Sequence, residues 1–257
     1  DLDGDGTPDA LWHNQSTGQL FPWLMDGSTP SSTAFLTPGS VSPAWQVRGI
    51  GDLDGDGKND LLFQNQATGS LYAWLMDGVA QSSATFLKPG SVNPAWQAQG
   101  LADFNGDGKV DVLFRHQATG QLYVWFMDGT TQSSGDFLNP SALANASWQI
   151  RGLADFNGDA KADILWQNVT SGLLYVWTMD GTKRSEGVYP KPSVVSNPSW
   201  KIAQVADFNG DGKPDILWRH QATGQLYLWT MDGLSQASAA SPTPGSVANL
   251  AWQIVPQ

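Results

Sequence analysis

The chain has 257 residues, a formal net charge of −11 and no cysteine. An acidic chain with only 13 Lys and Arg residues is poorly suited to neutralising phosphates, so we expect no nucleic-acid partner. No run of about 18 apolar residues is present, which argues against membrane insertion, and the missing cysteines exclude disulfides and thiolate chemistry. The chain begins at Asp1 without Met and inside a motif, and we expect a processed or trimmed product.

The acidic residues are concentrated in repeated motifs. Of the 23 aspartates, 17 lie in five copies of the pattern Asp-x-Asp/Asn-x-Asp-Gly-x-x-Asp and five more in Met-Asp-Gly triplets, which leaves only Asp136 and Glu186 outside any repeat. The copies begin at Asp1, Asp52, Asp103, Asp155 and Asp207. This fixed period predicts a repeat architecture, and we interpret residues 1–257 as a single domain of five repeats.

The third repeat predicts the order of strands within a unit. Short apolar stretches bounded by turn residues indicate strand A at 148–154, strand B at 112–116, strand C at 121–127 and a short outer strand D near 136–138. Strand C is apolar on both faces, so its sheet needs neighbours on both sides. Four strands in a unit of this length, stacked radially, predict a β-propeller blade.

The two ends of the chain predict how the repeats close. Residues 252–257 match strand A, whereas the chain begins after a strand A. We therefore expect an all-β fold, a five-bladed β-propeller of four-stranded antiparallel blades that is closed by the C-terminal strand. An open solenoid is the alternative, and it would leave both end repeats uncapped.

The nine-residue pattern predicts a metal loop. Side-chain oxygens at its positions 1, 3, 5 and 9, together with the carbonyl at position 7, can surround one hard cation, and three or four carboxylates favour Ca²⁺ over Zn²⁺ or Mg²⁺. An EF-hand would need a Glu at position 12 and flanking helices, and the pattern offers neither. We expect about five Ca²⁺ ions, one per repeat. The predicted ligands are Asp1, Asp3, Asp5, Thr7 and Asp9; Asp52, Asp54, Asp56, Lys58 and Asp60; Asp103, Asn105, Asp107, Lys109 and Asp111; Asp155, Asn157, Asp159, Lys161 and Asp163; and Asp207, Asn209, Asp211, Lys213 and Asp215.

The fourth loop departs from the pattern, because Ala160 stands where the other loops have Gly. If that position needs a positive φ, Ala costs about 1 kcal/mol or more. We expect this site to survive as the weakest of the five.

The Asp-Phe-Asn-Gly-Asp-Gly-Lys-x-Asp-Ile-Leu-Trp blocks resemble FG-GAP (VCBS) repeats, which build the integrin α-subunit propeller and many secreted proteins, including a seven-bladed fungal lectin. The resemblance covers all five units, although five is fewer than the seven blades common in that family. It implies Ca²⁺ between strands A and B and ligands on the face away from the calcium loops. It does not fix a function, because such repeats occur in adhesins, lectins and enzyme appendages.

The antiparallel strand order places the calcium loops and Met-Asp-Gly turns on one face, and it gathers a tryptophan and the polar end of strand B from each repeat on the other. Aromatic faces beside amide, imidazole and guanidinium donors suit sugar rings. Packing between two blades explains the presence of any single one of these tryptophans equally well. The candidate ligand-binding residues are Trp45, Trp96, Trp148, Trp200, Trp252, His13, Asn14, Gln64, Asn65, Arg115, His116, Gln167, Asn168, Arg219 and His220.

We expect a multivalent, lectin-like glycan-binding module; the alternatives are a protein-binding adhesion domain and a structural or engineered propeller without a ligand. An enzyme is not expected, because the two acids outside the repeats are on different blades and no Gly-x-Ser-x-Gly motif is present. Five Ca²⁺ would bring the net charge from −11 to about −1. We therefore expect folding to depend on calcium in an extracellular or cell-surface setting.

Overall fold

The computed structural model describes residues 1–33, 35–143 and 145–255. All regular secondary structure in these ranges is β-strand. No helix able to cross a membrane is found in these ranges. The strands form five four-stranded antiparallel units, which we number by repeat. The outer strands of units 2, 3 and 4 are also joined by parallel bridges, so these three units form one extended sheet.

The bounds of the strands repeat closely from unit to unit. Unit 1 contains β1 (Ala10–Asn14), β2 (Leu20–Asp26), β3 (Thr29–Thr33) and, as its inner strand, β20 (Trp252–Ile254). Unit 2 contains β4 (Trp45–Gly51), β5 (Asp60–Asn65), β6 (Ser70–Asp77) and β7 (Ala80–Ser91). Unit 3 contains β8 (Trp96–Ala102), β9 (Asp111–His116), β10 (Gln121–Asp128) and β11 (Thr131–Ala142). Unit 4 contains β12 (Trp148–Ala154), β13 (Asp163–Asn168), β14 (Leu174–Asp180) and β15 (Lys183–Val188). Unit 5 contains β16 (Trp200–Ala206), β17 (Asp215–His220), β18 (Leu226–Asp232) and β19 (Ser235–Ala240).

The predicted strands A, B and C are confirmed to within one residue, whereas the outer strand is longer than expected. In unit 3 it runs over Thr131–Ala142 rather than 136–138. Only Leu138 in this strand is fully buried, so the sequence carries no alternating apolar signal. The strand extends because it pairs with β10 and also bridges to both neighbouring outer strands, at Thr131 with Lys88 and at Asn139 with Lys183.

Residues from the end of the chain complete the first unit, as the ends of the sequence predict. In β20, Ile254 pairs with Trp12 and Trp252 pairs with Asn14, in antiparallel register. The backbone N–H of Val255 then donates to the carbonyl of Leu11 at 2.8 Å. The last two residues of the predicted closing segment lie outside the described ranges.

The hydrophobic core consists of five clusters that each join two successive units. Leu11 of unit 1 packs in one cluster with Ile50 of unit 2, and the next three clusters join units 2 and 3, 3 and 4, and 4 and 5. The fifth cluster brings Trp12 and Ile254 of unit 1 against Leu217 of unit 5. Each unit therefore buries both sheet faces against a neighbour, and the first and last units are neighbours.

A second set of links follows the outer edge of the same five units. Each link is a backbone hydrogen bond between two successive units. The donor is the N–H of the residue before a cis proline, and the acceptor is the carbonyl of the residue that follows the Met-Asp-Gly turn of the next unit. The donors Thr37, Lys88, Asn139, Lys191 and Thr243 reach Val79, Thr130, Thr182, Leu234 and Ser28, respectively, at 2.8–3.1 Å. The fifth link again joins unit 5 to unit 1.

We predict that the stability of the whole chain depends on β20. Ile254 is 7% exposed and packs against both end units, so Ile254→Ala should lower the free energy of unfolding by about 2–5 kcal/mol. Leu250→Ala, at a side chain that is 39% exposed two residues before β20, should change it by about 0.5 kcal/mol or less. Urea unfolding followed by tryptophan fluorescence measures both. Equal stabilities of the two variants would contradict the docking of β20.

Candidate metal loops and aromatic cavities

Each metal loop is wrapped around the carboxylate at its first position. In the first loop, Asp1 Oδ1 accepts the backbone N–H of Gly4 at 2.7 Å and Oδ2 accepts that of Gly6 at 2.8 Å. The other four loops repeat both hydrogen bonds at 2.6–2.9 Å. Five copies therefore share one conformation, in which the backbone folds around an acidic side chain.

The aspartate at the ninth position is buried and connects three segments. In the second loop, Asp60 Oδ2 accepts the N–H of Leu53 at 2.9 Å, and its Oδ1 accepts the N–H of Met76 at 2.8 Å. The same pair of bonds occurs in the other four units. Since the methionine belongs to the Met-Asp-Gly turn, the predicted position of that turn beside the loop is confirmed.

Burial of this aspartate opposes its ionisation. Desolvation raises the pKa of Asp9, Asp60, Asp111 and Asp215, in the last three to about 6, and that of Asp163 to about 7. The two backbone N–H donors lower the pKa of each, and neighbouring loop carboxylates raise it further. A cation in the loop would offset both unfavourable effects, the desolvation and the mutual repulsion of the acids.

The first two loops bring their carboxylate oxygens close enough to share one ion. In the first two loops, carboxylate oxygens of Asp1, Asp3 and Asp9, and of Asp52, Asp54 and Asp60, lie within 4.8 Å of one another. The other three loops have Asn at the third position, whose Oδ1 stands in for a carboxylate oxygen. The donor set is made of hard oxygens, so it fits Ca²⁺.

Ala160 adopts the left-handed conformation that its position requires. Its φ is 64°, the one positive value outside Gly among the described residues, and the equivalent Gly6, Gly57, Gly108 and Gly212 have φ of 81–90°. The loop thus keeps its shape at Ala160 at the cost of backbone strain.

Lysine side chains at the seventh loop position form ion pairs that the sequence did not suggest. Lys109 Nζ lies 2.7 Å from an oxygen of Asp128 in the Met-Asp-Gly turn, and Lys58, Lys161 and Lys213 make the equivalent pairs. The repeats carry the signal, because Lys at position 7 and Asp in the turn recur together. The aspartates are exposed to solvent and the lysine side chains are 30–52% exposed, so the pairs contribute little to stability.

On the opposite edge, the structure brings together the tryptophans and the polar strand ends that the sequence grouped. Trp45 pairs with Asn65, Trp96 with His116, Trp148 with Asn168, Trp200 with His220 and Trp252 with Asn14. All five tryptophans are half-buried. The rings of Trp96 and His116 meet edge to face at 5.0 Å, and those of Trp200 and His220 at 5.1 Å.

The residue before each of these strand ends is turned inward, towards the next unit. Gln64 Nε2 donates to the carbonyl of Trp96 at 2.8 Å, and Arg115 Nη1 donates to that of Trp148 at 2.9 Å. Gln167 and Arg219 also bond backbone carbonyls of the following connection or strand. With His13, these side chains are buried. The glutamines and arginines link units together, a role the sequence could not distinguish from ligand binding, whereas the ring of His13 bonds only Gln15 of its own unit among the described residues.

The amide side chains at the strand ends hold the B–C turns. The Oδ1 atoms of Asn14, Asn65 and Asn168 each accept two backbone N–H groups of the turn that follows, at 3.0–3.1 Å. His116 Nδ1 accepts the N–H of Thr119 at 3.2 Å. These contacts shape the rim and leave the tryptophans as the principal candidates for a ligand.

Three equivalent cavities lie beside the rim tryptophans. The cavity in unit 3 has a volume of about 390 Å³ and is lined by the rings of Trp96, Tyr123 and Phe137, with Phe114 and Trp125 at its base and Asn93 at its edge. Unit 2 repeats it, with about 330 Å³ around Trp45, Tyr72 and Phe86. Unit 5 repeats it with about 280 Å³ around Trp200 and Tyr227.

The edge of each cavity is fixed by the connection from the preceding unit. In unit 2, the N–H of Val92 donates to the carbonyl of Gly69 at 3.0 Å. Gly69 has a φ of 73°, and a Cβ there would lie 2.0 Å from the carbonyl oxygen of Val92. Only Gly permits this close approach, which places Val92 and Asn93 against the aromatic rings of unit 3.

Outer-strand aromatics complete the cavities, and the sequence interpretation missed them. Phe86 and Phe137 are 51% and 44% exposed, and each ring packs at 4.8 Å from the tyrosine of the neighbouring strand. The recurring aromatic at this position, present also as Phe35 and Tyr189, was the available signal. By contrast, the tryptophans and phenylalanines of strand B are fully buried.

Comparison with solved structures shows similarity over nearly the whole chain. A chain of the Photorhabdus luminescens Tc holotoxin pore matches with a TM-score of 0.50 and 19% identity, over 93% of this chain and 11% of that one. A chain of a nidogen/laminin complex matches with a TM-score of 0.48 and 13% identity, over 97% of both chains. A Bacteroides caccae protein of unknown function gives 0.48 and 9%, over 90% and 72%. This chain thus spans about a tenth of the Photorhabdus chain.

No curated protein matches the sequence. The family model of the FG-GAP-like repeat matches four overlapping segments, residues 1–63, 52–114, 103–166 and 155–218. These segments each contain two successive metal loops, and the propeller-like arrangement of such repeats suggests a binding module. The chain belongs to the FG-GAP-like repeat family.

Proposed function

We propose that the chain is a closed five-bladed β-propeller, stabilised by calcium, that binds carbohydrate at several equivalent sites. The five clusters and five edge links that run through all units and back to the first support the closed arrangement. The recurrence of the aromatic cavity in three units is the observation that carries the binding function.

The chemistry of the cavities supports sugar over other small ligands. A pyranose ring offers C–H faces that pack on aromatic rings and hydroxyl groups that exchange hydrogen bonds at their edge. In unit 3 the rings of Trp96, Tyr123 and Phe137 supply the first, and the side chains of Ser91 and Asn93 at the edge supply the second. Cavities of this size, apolar with a few polar groups, are typical of small-ligand sites.

Repetition supports a multivalent mode of binding. Sites in successive units are held at fixed spacing, so weak binding of single sugars would be strengthened on a surface that presents many copies. An extracellular or cell-surface setting supplies both calcium and glycans, and we propose that location. The proposed role involves no catalysis: Asp136 and Glu186 lie on the outer strands of different units, β11 and β15.

The exposed outer-strand aromatics favour a second candidate, a protein-binding adhesion domain. Phe35, Phe86, Phe137 and Tyr189 are each 44–54% exposed and recur at one position in four units. Such residues suit a protein interface as well as a sugar site.

Removal of calcium should destabilise the protein. Without the ion, each loop keeps three or four carboxylates together, one of them the buried aspartate, so a chelator such as EDTA should lower the melting temperature markedly. Scanning calorimetry measures the change, and metal analysis of the untreated protein should give about five Ca²⁺ per chain. An unchanged melting temperature after confirmed metal loss contradicts the calcium proposal.

The fourth loop should be improved by Gly. Ala160→Gly removes the strain of a positive φ and should raise the free energy of unfolding by about 1 kcal/mol. Gly57→Ala is the matched control: a Cβ there meets no atom within 4 Å and φ is 87°, so it should lower the value by a similar amount through backbone strain alone. Denaturant unfolding in saturating calcium measures both. If Gly57→Ala leaves the free energy of unfolding unchanged, this loop position tolerates Ala without strain, which contradicts the prediction.

Glycan binding should depend on the cavity aromatics. Phe86→Ser with Phe137→Ser introduces the residue that unit 5 has at that position, Ser241. We expect this double variant to keep its melting temperature and to weaken the signal on a glycan array, because the cavities of units 2 and 3 lose their third ring while the cavity of unit 5 is unchanged. Leu250→Ser, which removes an exposed apolar side chain that does not line these three cavities, should bind as the unaltered protein does. No glycan signal, together with capture of a defined protein ligand, would favour the adhesion domain.

A further inference from the structure

A separate cavity lies between the inner strands and is lined by cationic side chains. It has a volume of about 270 Å³ and is bounded by β12, β16 and β20 and by the end of β17. Arg151, Lys201 and Arg219 line it, together with the amides of Gln221 and Gln253. We call it the inner-strand cavity.

The three cations that line the cavity come from two successive units. Lys201 and Arg219 are direct cross-strand partners in unit 5, so their side chains start from the same face of the sheet. Arg151 comes from unit 4, at the position that the strand bulge between Ile150 and Gly152 leaves without a partner. Its charge lowers the pKa of Lys201, in addition to the larger effect of burial. Like charges in this arrangement repel one another.

Comparison with the other repeats shows that unit 5 is exceptional. Arg48 of unit 2 occupies the same strand position as Arg151, and its Nη2 donates to Gln97 Oε1 of unit 3 at 3.4 Å. Lys201 stands where Gln97 does, and every other repeat has Gln at this position: Gln46, Gln97, Gln149 and Gln253. The arginine–glutamine hydrogen bond of units 2 and 3 is therefore replaced by two facing cations in units 4 and 5.

No acid of the described ranges compensates these charges. Lys201 Nζ donates to the carbonyl of Val169 at 3.1 Å, and Arg219 Nη2 donates to the carbonyls of Val247 and Asn249, so neutral oxygens are their only acceptors among the described residues. Arg219 is 1% exposed, and its Nε and Nη1 are buried without a hydrogen-bond partner, as is Nε of Arg151. All ion pairs found in the described residues belong to the metal-loop lysines. The metal loops follow the far ends of the inner strands, and Asp136 and Glu186 lie on outer strands. Buried, unpaired guanidinium N–H groups are costly unless an acceptor fills the space between them.

We propose that the inner-strand cavity binds a small oxyanion, such as sulfate, phosphate or a carboxylate, between Arg151, Lys201 and Arg219. Guanidinium groups match the geometry of oxyanions and form strong charge-assisted hydrogen bonds with them. The amides of Gln221 and Gln253 are further donors at the wall. The site is independent of the metal loops and of the aromatic cavities.

The test measures thermal stability and calorimetric binding with sulfate, and with acetate in a parallel arm, in calcium-containing buffer at constant ionic strength set with chloride. The holo-protein should show a saturable rise in melting temperature. The double variant Arg151→Gln/Lys201→Gln carries residues that other repeats have at these positions, so it should fold. It should bind the anion about tenfold or more weakly for each lost cation, and without anion it should be at least as stable.

The control is Lys88→Thr/Lys191→Thr, which removes two exposed charges at positions where units 1 and 5 have Thr. It should keep the full sulfate effect. Equal shifts in both double variants and the unaltered protein would reveal a general salt effect and overturn the proposal, as would the lack of any shift in the unaltered protein. If the first double variant unfolds, Lys201→Gln alone decides, because Gln is the residue of all four other repeats.

Discussion

A buried aspartate at the end of each metal loop is the contact on which the architecture of every unit depends. Asp60 illustrates it: one carboxylate oxygen holds the start of the loop at Leu53 and the other holds the Met-Asp-Gly turn at Met76. The side chain lies in an apolar environment that raises its pKa to about 6. This carboxylate therefore couples three features: loop shape, the end of the third strand, and the demand for a nearby positive charge.

Units built around this contact cannot be stable by themselves, since their second strands are buried on both faces. Each hydrophobic cluster combines side chains of two units, and the polar ends of the second strands reach across the same boundary, as Gln64 does to Trp96. The boundary between two units is thus filled by hydrophobic core residues in its middle and is open to solvent at its rim. That is where the aromatic cavities of units 2, 3 and 5 lie, so the packing of the repeats and the candidate binding sites have one origin.

Because the five units share one structure, a residue that differs between repeats can be interpreted by comparing equivalent positions. Ala160 keeps a left-handed backbone that Gly would adopt freely. Lys201 replaces a glutamine and places a cation beside Arg151. Gln64 and Arg115 alternate at one position because either can donate to a neighbouring carbonyl. From the sequence both residues are candidates for ligand binding, although their side chains are buried.

The repeat period, the acidic loops, strands A to C and the C-terminal strand of unit 1 could be predicted from the sequence, because each depends on local residue patterns: turn glycines, spaced carboxylates and short apolar runs. Four features needed the three-dimensional packing: which way the strand ends face, how far the outer strands extend, that Phe86 and Phe137 complete the cavities, and that Arg151, Lys201 and Arg219 line one cavity. These features join residues of different repeats or of strands without an apolar period. When both faces of a sheet are buried, alternation along a strand cannot reveal which side chain faces a neighbour and which faces a ligand.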